Sequence, residues 1–175
     1  MRIGVIGLSF ALRPEEEPNP CNIGLALEFE RVVDLERIEG HKILGSIQWE
    51  LALALVSPRI RKENVVNVVE KHRDGVSYLD SDEVILQSIE AFDRLGGVDE
   101  VVLVGNPWIH LQGARSRAKA YGLKVRKRRI RWIGFDEKSS QWQTRGPIRA
   151  FVYTVGRVIG QFVFGRRFGQ KRVAS

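Results

Sequence analysis

Residues 98–125 read Val-Asp-Glu-Val-Val-Leu-Val-Gly-Asn-Pro-Trp-Ile-His-Leu-Gln-Gly-Ala-Arg-Ser-Arg-Ala-Lys-Ala-Tyr-Gly-Leu-Lys-Val, and their reading decides the fold class. Within them, 100–104 is a short run rich in β-branched side chains without helical period, which predicts a central strand buried on both faces of a parallel sheet. Gly105, Asn106 and Pro107 stop that strand, and the alanine-rich segment 112–121 predicts a helix closed by Gly122 at its C′ position. Asn106, Trp108 and His110 fall between strand and helix. Ligands of open α/β sheets bind at the carboxyl ends of the strands, so the same stretch marks a place for a site.

Working outward, 2–10 predicts a first strand, and its Gly4 and Gly7 do not form the G-x-G-x-x-G fingerprint, which disfavours a dinucleotide site. Asn19 or Asn22 can cap a helix ending near Gly40. Segments 42–47 and 64–69 predict the second and third strands. Helix formers follow at 49–56, before Ser57-Pro58, and at 80–95, where Asp80 and Glu83 make a D-x-x-E capping box. Gly96-Gly97 ends that helix. Residues 124–133 predict a fifth strand carrying five cations between 126 and 131, placed at a sheet edge where such charge deters pairing. Pro147 opens a last helix whose Ile148, Phe151, Val152, Val155, Val158, Ile159, Phe162 and Val163 share one face. It is read first as a helix covering the core, with a membrane-surface helix as the alternative. The expected fold is a Rossmann-like three-layer αβα domain, with a mainly parallel sheet of about five strands, over residues 1–165. A basic segment, 166–175, follows.

A chain of 175 residues suits a single domain. Cys21 is the only cysteine, which excludes an intramolecular disulfide and a cysteine-based zinc site and fits a reducing, cytoplasmic setting. No run of about eighteen apolar residues occurs, so no transmembrane segment is expected. No metal site is indicated, and the cofactor is left open. The net charge of +7 is unevenly placed: residues 1–100 hold 19 acidic and 11 basic side chains, a balance of −8, and 101–175 hold 2 and 17, a balance of +15. Such a basic half suits an anionic partner, whether a phosphate-bearing ligand, nucleic acid or a membrane surface, or the acidic face of a second copy.

Glu50 and Glu83 stand in first turns of helices, where the helix dipole alone explains an acid; at a strand end either can also work on a ligand. His110, in a loop beside Trp108, can act as acid, base or hydrogen-bond donor to phosphate. His41 and His72, among charged neighbours, are read as solvated.

In chain order the motifs are a Gly-Val-Ile-Gly-Leu first strand, Gly45-Ser46 followed by Glu50, then Glu70 and a Ser-Asp-Glu at 81–83. A Val-Leu-Val-Gly segment reaching His110 and a late Ser140-Gln141-Trp142 complete them. Together these resemble the YdcF-like family, which includes the SanA and ElyC envelope proteins. The resemblance implies a Rossmann-like fold with a pocket at the strand ends and an association with cell-envelope or lipid-carrier metabolism. A phosphorylated carrier or S-adenosylmethionine is the kind of ligand it brings to mind. The chain departs from the family in lacking the second glycine of its Ser-Gly-Gly motif and the arginine usually found after the histidine, for which Arg115 or Arg117 can stand in. The expected site therefore has Glu50 and His110 as working groups and Ser46, Glu70, Ser81, Glu83, Asn106, Arg115 and Arg117 as ligand-binding residues, holding a small anionic or nucleotide-like molecule. The competing functions are a nucleic-acid-binding module built on 124–131 and the basic C-terminal segment, and a non-catalytic regulatory protein with a decayed site.

Overall fold

The computed structural model describes residues 1–13, 15–55, 65–73 and 79–164, the side chains of 157–164 excepted. The Ser57-Pro58 break after the helix predicted at 49–56, and the basic segment 166–175, lie outside the described residues.

Four strands form one parallel sheet: β1 (Arg2–Gly7), β2 (Lys42–Gln48), β3 (Val65–Val69) and β4 (Glu100–Val104), in the order β3-β2-β1-β4. Helices α1 (Pro20–Ile38) and α2 (Trp49–Ala54) pack together against one face, and α3 (Ser81–Arg94) and α4 (Leu111–Ala120) against the other. The expected three-layer α/β class is therefore present, with a sheet of four strands. Apolar runs explain the central layer: Val101, Val102, Leu103 and Val104 are all buried, as a strand covered on both faces requires. Two glycines of β1 let the helices come close. A Cβ on Gly4 would lie 2.7 Å from the Phe92 ring of α3, and one on Gly7 would lie 3.0 Å from Ile47 and Leu51 and 3.1 Å from Phe29 on the opposite side.

The helix ends follow the predicted punctuation. Asn19 caps α1 by accepting from the Asn22 amide, and Asp80 caps α3 by accepting from the Glu83 amide at 2.9 Å. Gly40, Gly96 and Gly122 adopt positive φ just beyond α1, α3 and α4.

Three expectations are corrected. β4 is not central: β1 and β2 are the interior strands, and β4 has only β1 and one further residue beside it. That residue is Val125, whose single parallel bridge to Val101 is all that forms of the predicted fifth strand; beyond it the chain leaves β4 and crosses α1. The last helix, α5 (Pro147–Phe164), does not cover the core. Ile148 is 79% exposed, Phe151 66% and Val152 53%, and only Ala150 among the residues from 147 to 156 is buried.

The crossing segment finds its partners on α1. Glu36, fully buried, accepts from the Arg128 Nε at 2.5 Å and the Arg126 Nε lies 3.4 Å away, while its other oxygen meets His41 Nδ1 at 2.7 Å. Glu39 takes Arg126 and Arg128 as well, and buried Glu28 takes the Arg131 backbone amide and Arg31. Burial pushes the Glu36 carboxyl up, but Arg128, His41 and Arg126 together outweigh it and hold it below the usual carboxylate range. His41 is thus a partner of a buried acid, not a solvated residue. The basic segment alternates: Arg126 and Arg128 turn to α1, and Lys127 and Arg129 are exposed.

Candidate functional site

With strand order β3-β2-β1-β4, the chain's progress across the sheet reverses between β1 and β4, and the loops after these strands flank the crevice in which ligands of such folds lie. The loop after β1 is buried and irregular, so each of its amides needs an acceptor. Leu8 donates to the Val104 carbonyl, Ser9 to Gln48 Oε1 at 3.0 Å, Phe10 to Asn22 Oδ1 at 2.8 Å, Leu12 to Ser139 Oγ at 3.0 Å and Arg13 to Glu17 Oε1 at 2.9 Å. Arg13 also holds Asp136 in a bidentate pair, tying the 136–144 loop over this turn. Ala11, between them, has φ +67°, a left-handed conformation that a non-glycine residue adopts only where its surroundings impose it.

The loop after β4 is organised by Asn106. Its Oδ1 accepts from the Trp108 and Ile109 amides and its carbonyl from those of His110 and Leu111, so four amides at the start of α4 turn inward to one residue. An anion cradle of backbone amides is not what this helix start offers. Asn106 is fully buried and its Nδ2 has no hydrogen-bond partner.

Glu50 approaches the same turn from β2, in the first turn of α2. It is 6% exposed, and its Oε2 is buried without a hydrogen-bond partner among the described residues. Desolvation pushes its pKa to about 7; its own backbone amide and the Ser9 hydroxyl oppose this, and the charge of Glu17 adds to it. His110 packs edge-on against Phe10, with ring centroids 5.4 Å apart. Glu50 and His110 therefore border the Ser9-Phe10 dipeptide from its two sides, as the β2-β1-β4 order requires.

From His110 a line of rings runs outward: Phe10 to Phe135 at 6.1 Å, Phe135 to Trp132 at 5.8 Å and Trp132 to Trp108 at 5.3 Å, all edge-to-face. Its inner end is closed, because Leu8, Phe10 and Ile109 are buried. Its outer end is open, with Trp108 59% and Trp132 56% exposed.

The other expected site residues separate from this group. Ser46 lies within β2, not at its end; it pairs with Ile6 and Asn67 across the ladder, and its Oγ accepts from Asn67 Nδ2 at 3.0 Å and Ser88 Oγ at 2.7 Å in the core. Glu70 is exposed at the end of the outer strand β3. Glu83 is buried under Arg73 and Gln87, at 2.6 and 2.7 Å. Burial raises its pKa, and these partners, with His72 nearby, more than reverse that. Arg117 joins α4 to the start of α3 through Asp82 at 2.8 Å and Ser81 Oγ at 2.9 Å. Among the described residues Arg115 donates to the Arg128 carbonyl at 3.2 Å and its buried Nε has no partner, and burial works against its charge. Sequence reasoning missed Phe10 and Phe135, and did not read the loop-pinning bonds of Gln48 and Asn22. Only the alternation of Trp132 with cations gave any signal of the aromatic line.

No family model matches the chain, and no curated protein or solved structure is significantly similar to it.

Proposed function

We propose that the chain is a Rossmann-like, YdcF-like domain that holds a small nucleotide-like or anionic molecule at the carboxyl edge of its sheet. The observation that carries this reading is Glu50, a buried carboxyl with one unpartnered oxygen and a pKa of about 7, placed where such folds bind ligands. An orphaned buried oxygen costs stability, and a ligand or proton at that atom gives it a purpose. The exposed edges of Trp108 and Trp132 suit a flat ring, and His110 suits an anionic group in place of the amides that Asn106 has taken. Glu50, near half-protonated at neutral pH, donates to or accepts from the ligand. The resemblance of the 101–110 segment and of Glu50 to the family's motifs supports the same two residues.

The test is a thermal-shift screen of nucleotides and phosphorylated metabolites on the wild type, His110→Ala and Glu50→Gln. Both variants are expected to fold and to bind the hits at least about tenfold more weakly, equivalent to about 1.4 kcal/mol. Equal binding by both variants removes the site.

A second reading, a nucleic-acid-binding surface, is favoured by the outward-facing Lys127, Arg129 and Arg131 beside exposed Trp132, which together offer charge and a stacking face. Arg126 and Arg128 are engaged by Glu36 and Glu39, so this surface is narrower than the sequence suggests. Lys127→Ser with Arg129→Ser should weaken oligonucleotide binding and flatten its salt dependence if this reading holds.

A further inference from the structure

Among the described residues, nothing covers the apolar face of helix α5. At 100° per residue, Ile148, Phe151, Val152 and Val155 fall in one arc about 100° wide, and all four are exposed. The one residue of its first turns that packs inward, Ala150, lies outside that arc, so the apolar face points away from the domain. The sequence continues the same arc with Val158, Ile159, Phe162 and Val163, and places Arg149, Arg157 and Gln161 outside it. Among the described residues no helix is long and apolar enough to cross a membrane.

Charge identifies what fits this face. After Glu137 the chain has no acidic residue, while Lys138, Arg145, Arg149, Arg157, Arg166, Arg167, Lys171 and Arg172 are cationic. A second copy docking through the same helix brings two such stretches together, like charge against like. An anionic surface that accepts apolar side chains satisfies both features, and exposed Trp142, in the short turn before the helix, is the residue type that sits at a headgroup boundary. We propose that α5 lies in the plane of an anionic lipid bilayer, its Ile148-Phe151-Val152-Val155 face inserted at the headgroup boundary and its flanking arginines against lipid phosphates. The surface is distinct from the strand-end site and does not depend on it.

Co-sedimentation of the full chain with vesicles of phosphatidylcholine alone, or of phosphatidylcholine with phosphatidylglycerol, tests this. The wild type is expected to pellet with the anionic vesicles and far less with the neutral ones. Phe151→Asp with Val155→Asp should reduce anionic-vesicle binding at least about tenfold while leaving the circular dichroism melt of the domain in place, because both side chains are exposed. Absence of wild-type binding overturns the proposal. Undiminished binding by the double variant also overturns it, assigning attraction to charge alone. So does a dimer that the double variant dissociates without any vesicle binding, which assigns the face to a second copy.

Discussion

The two edges of the sheet treat buried acids in opposite ways. At the amino edge, Glu36 is fully buried and surrounded by Arg126, Arg128 and His41, and it stays ionised below its usual range. At the carboxyl edge, Glu50 is nearly as buried, has one oxygen unpartnered, and rises to about 7. Residue type and burial are alike, so, among the described residues, the difference lies in whether a cation reaches the acid. Where it does, the acid is structural; where it does not, the acid remains able to exchange a proton or meet a ligand.

The strongest way to break this contrast is to remove the cations. Arg126→Ser with Arg128→Ser leaves Glu36 buried with His41 alone, and the expected loss is about 3–5 kcal/mol, a fall in Tm on the order of 10 °C. The pH response also changes sign. In the wild type, pairing lowers the Glu36 pKa below 4.5, so its contribution is present above that pH and lost as pH falls through the folded-state value. In the double variant, desolvation acts with far less opposition, and mild acid should stabilise the protein. Urea melts across pH read both effects.

Next in size is Glu50→Gln. Burial raises the folded-state pKa from 4.5 to about 7, so protonation favours the folded state below 4.5 and that advantage is lost as pH rises through 7. Glutamine removes this dependence. The stability of the variant relative to the wild type should therefore improve by roughly 3 kcal/mol between pH 4.5 and 8, as followed by chemical denaturation. A constant difference across that range means that Glu50 is hydrated or paired in solution.

The smallest effect is expected from Lys127→Ser with Arg129→Ser, whose side chains are exposed: a change within about 0.5 kcal/mol. Set beside the Arg126 and Arg128 variant, it measures how much of the cationic segment is structure. A comparable loss in the two double variants, read by thermal melts, abolishes the inward and outward division.

Strands, caps and the parallel α/β class were legible because they depend on local patterns: β-branched runs at 100–104 and 42–47, Asn19, Asp80, and the glycines at 40, 96 and 122. Most of the failures were questions of partners. The apolar period of α5 shows that a face needs covering but not by what, and the charge of 126–131 shows a need for acids but not where they are. Here the acids were within view, since Glu28, Glu36 and Glu39 fall on one stripe of α1 at helical spacing. Ser46 was misplaced because β2 continues two residues past it, a register that the apolar run alone does not set. Glu50 and His110 were found by their position after strands, whereas Phe10 and Phe135 became neighbours only through the folding of the 136–144 loop onto Leu12 and Arg13.

The Glu36 cluster also bears on the order in which the protein can be made. Arg128 meets Glu36 across 92 positions of sequence, so a ribosome has delivered all four strands, and the whole of α1, before the arginine counter-ions of Glu36 exist. Until then the nascent chain has a surplus of negative charge, and Glu36 has only His41 to pair with, whereas Glu28 already has Arg31 in its own helix. The sheet's four strands thus precede, in order of synthesis, the arginines that neutralise its most buried acid.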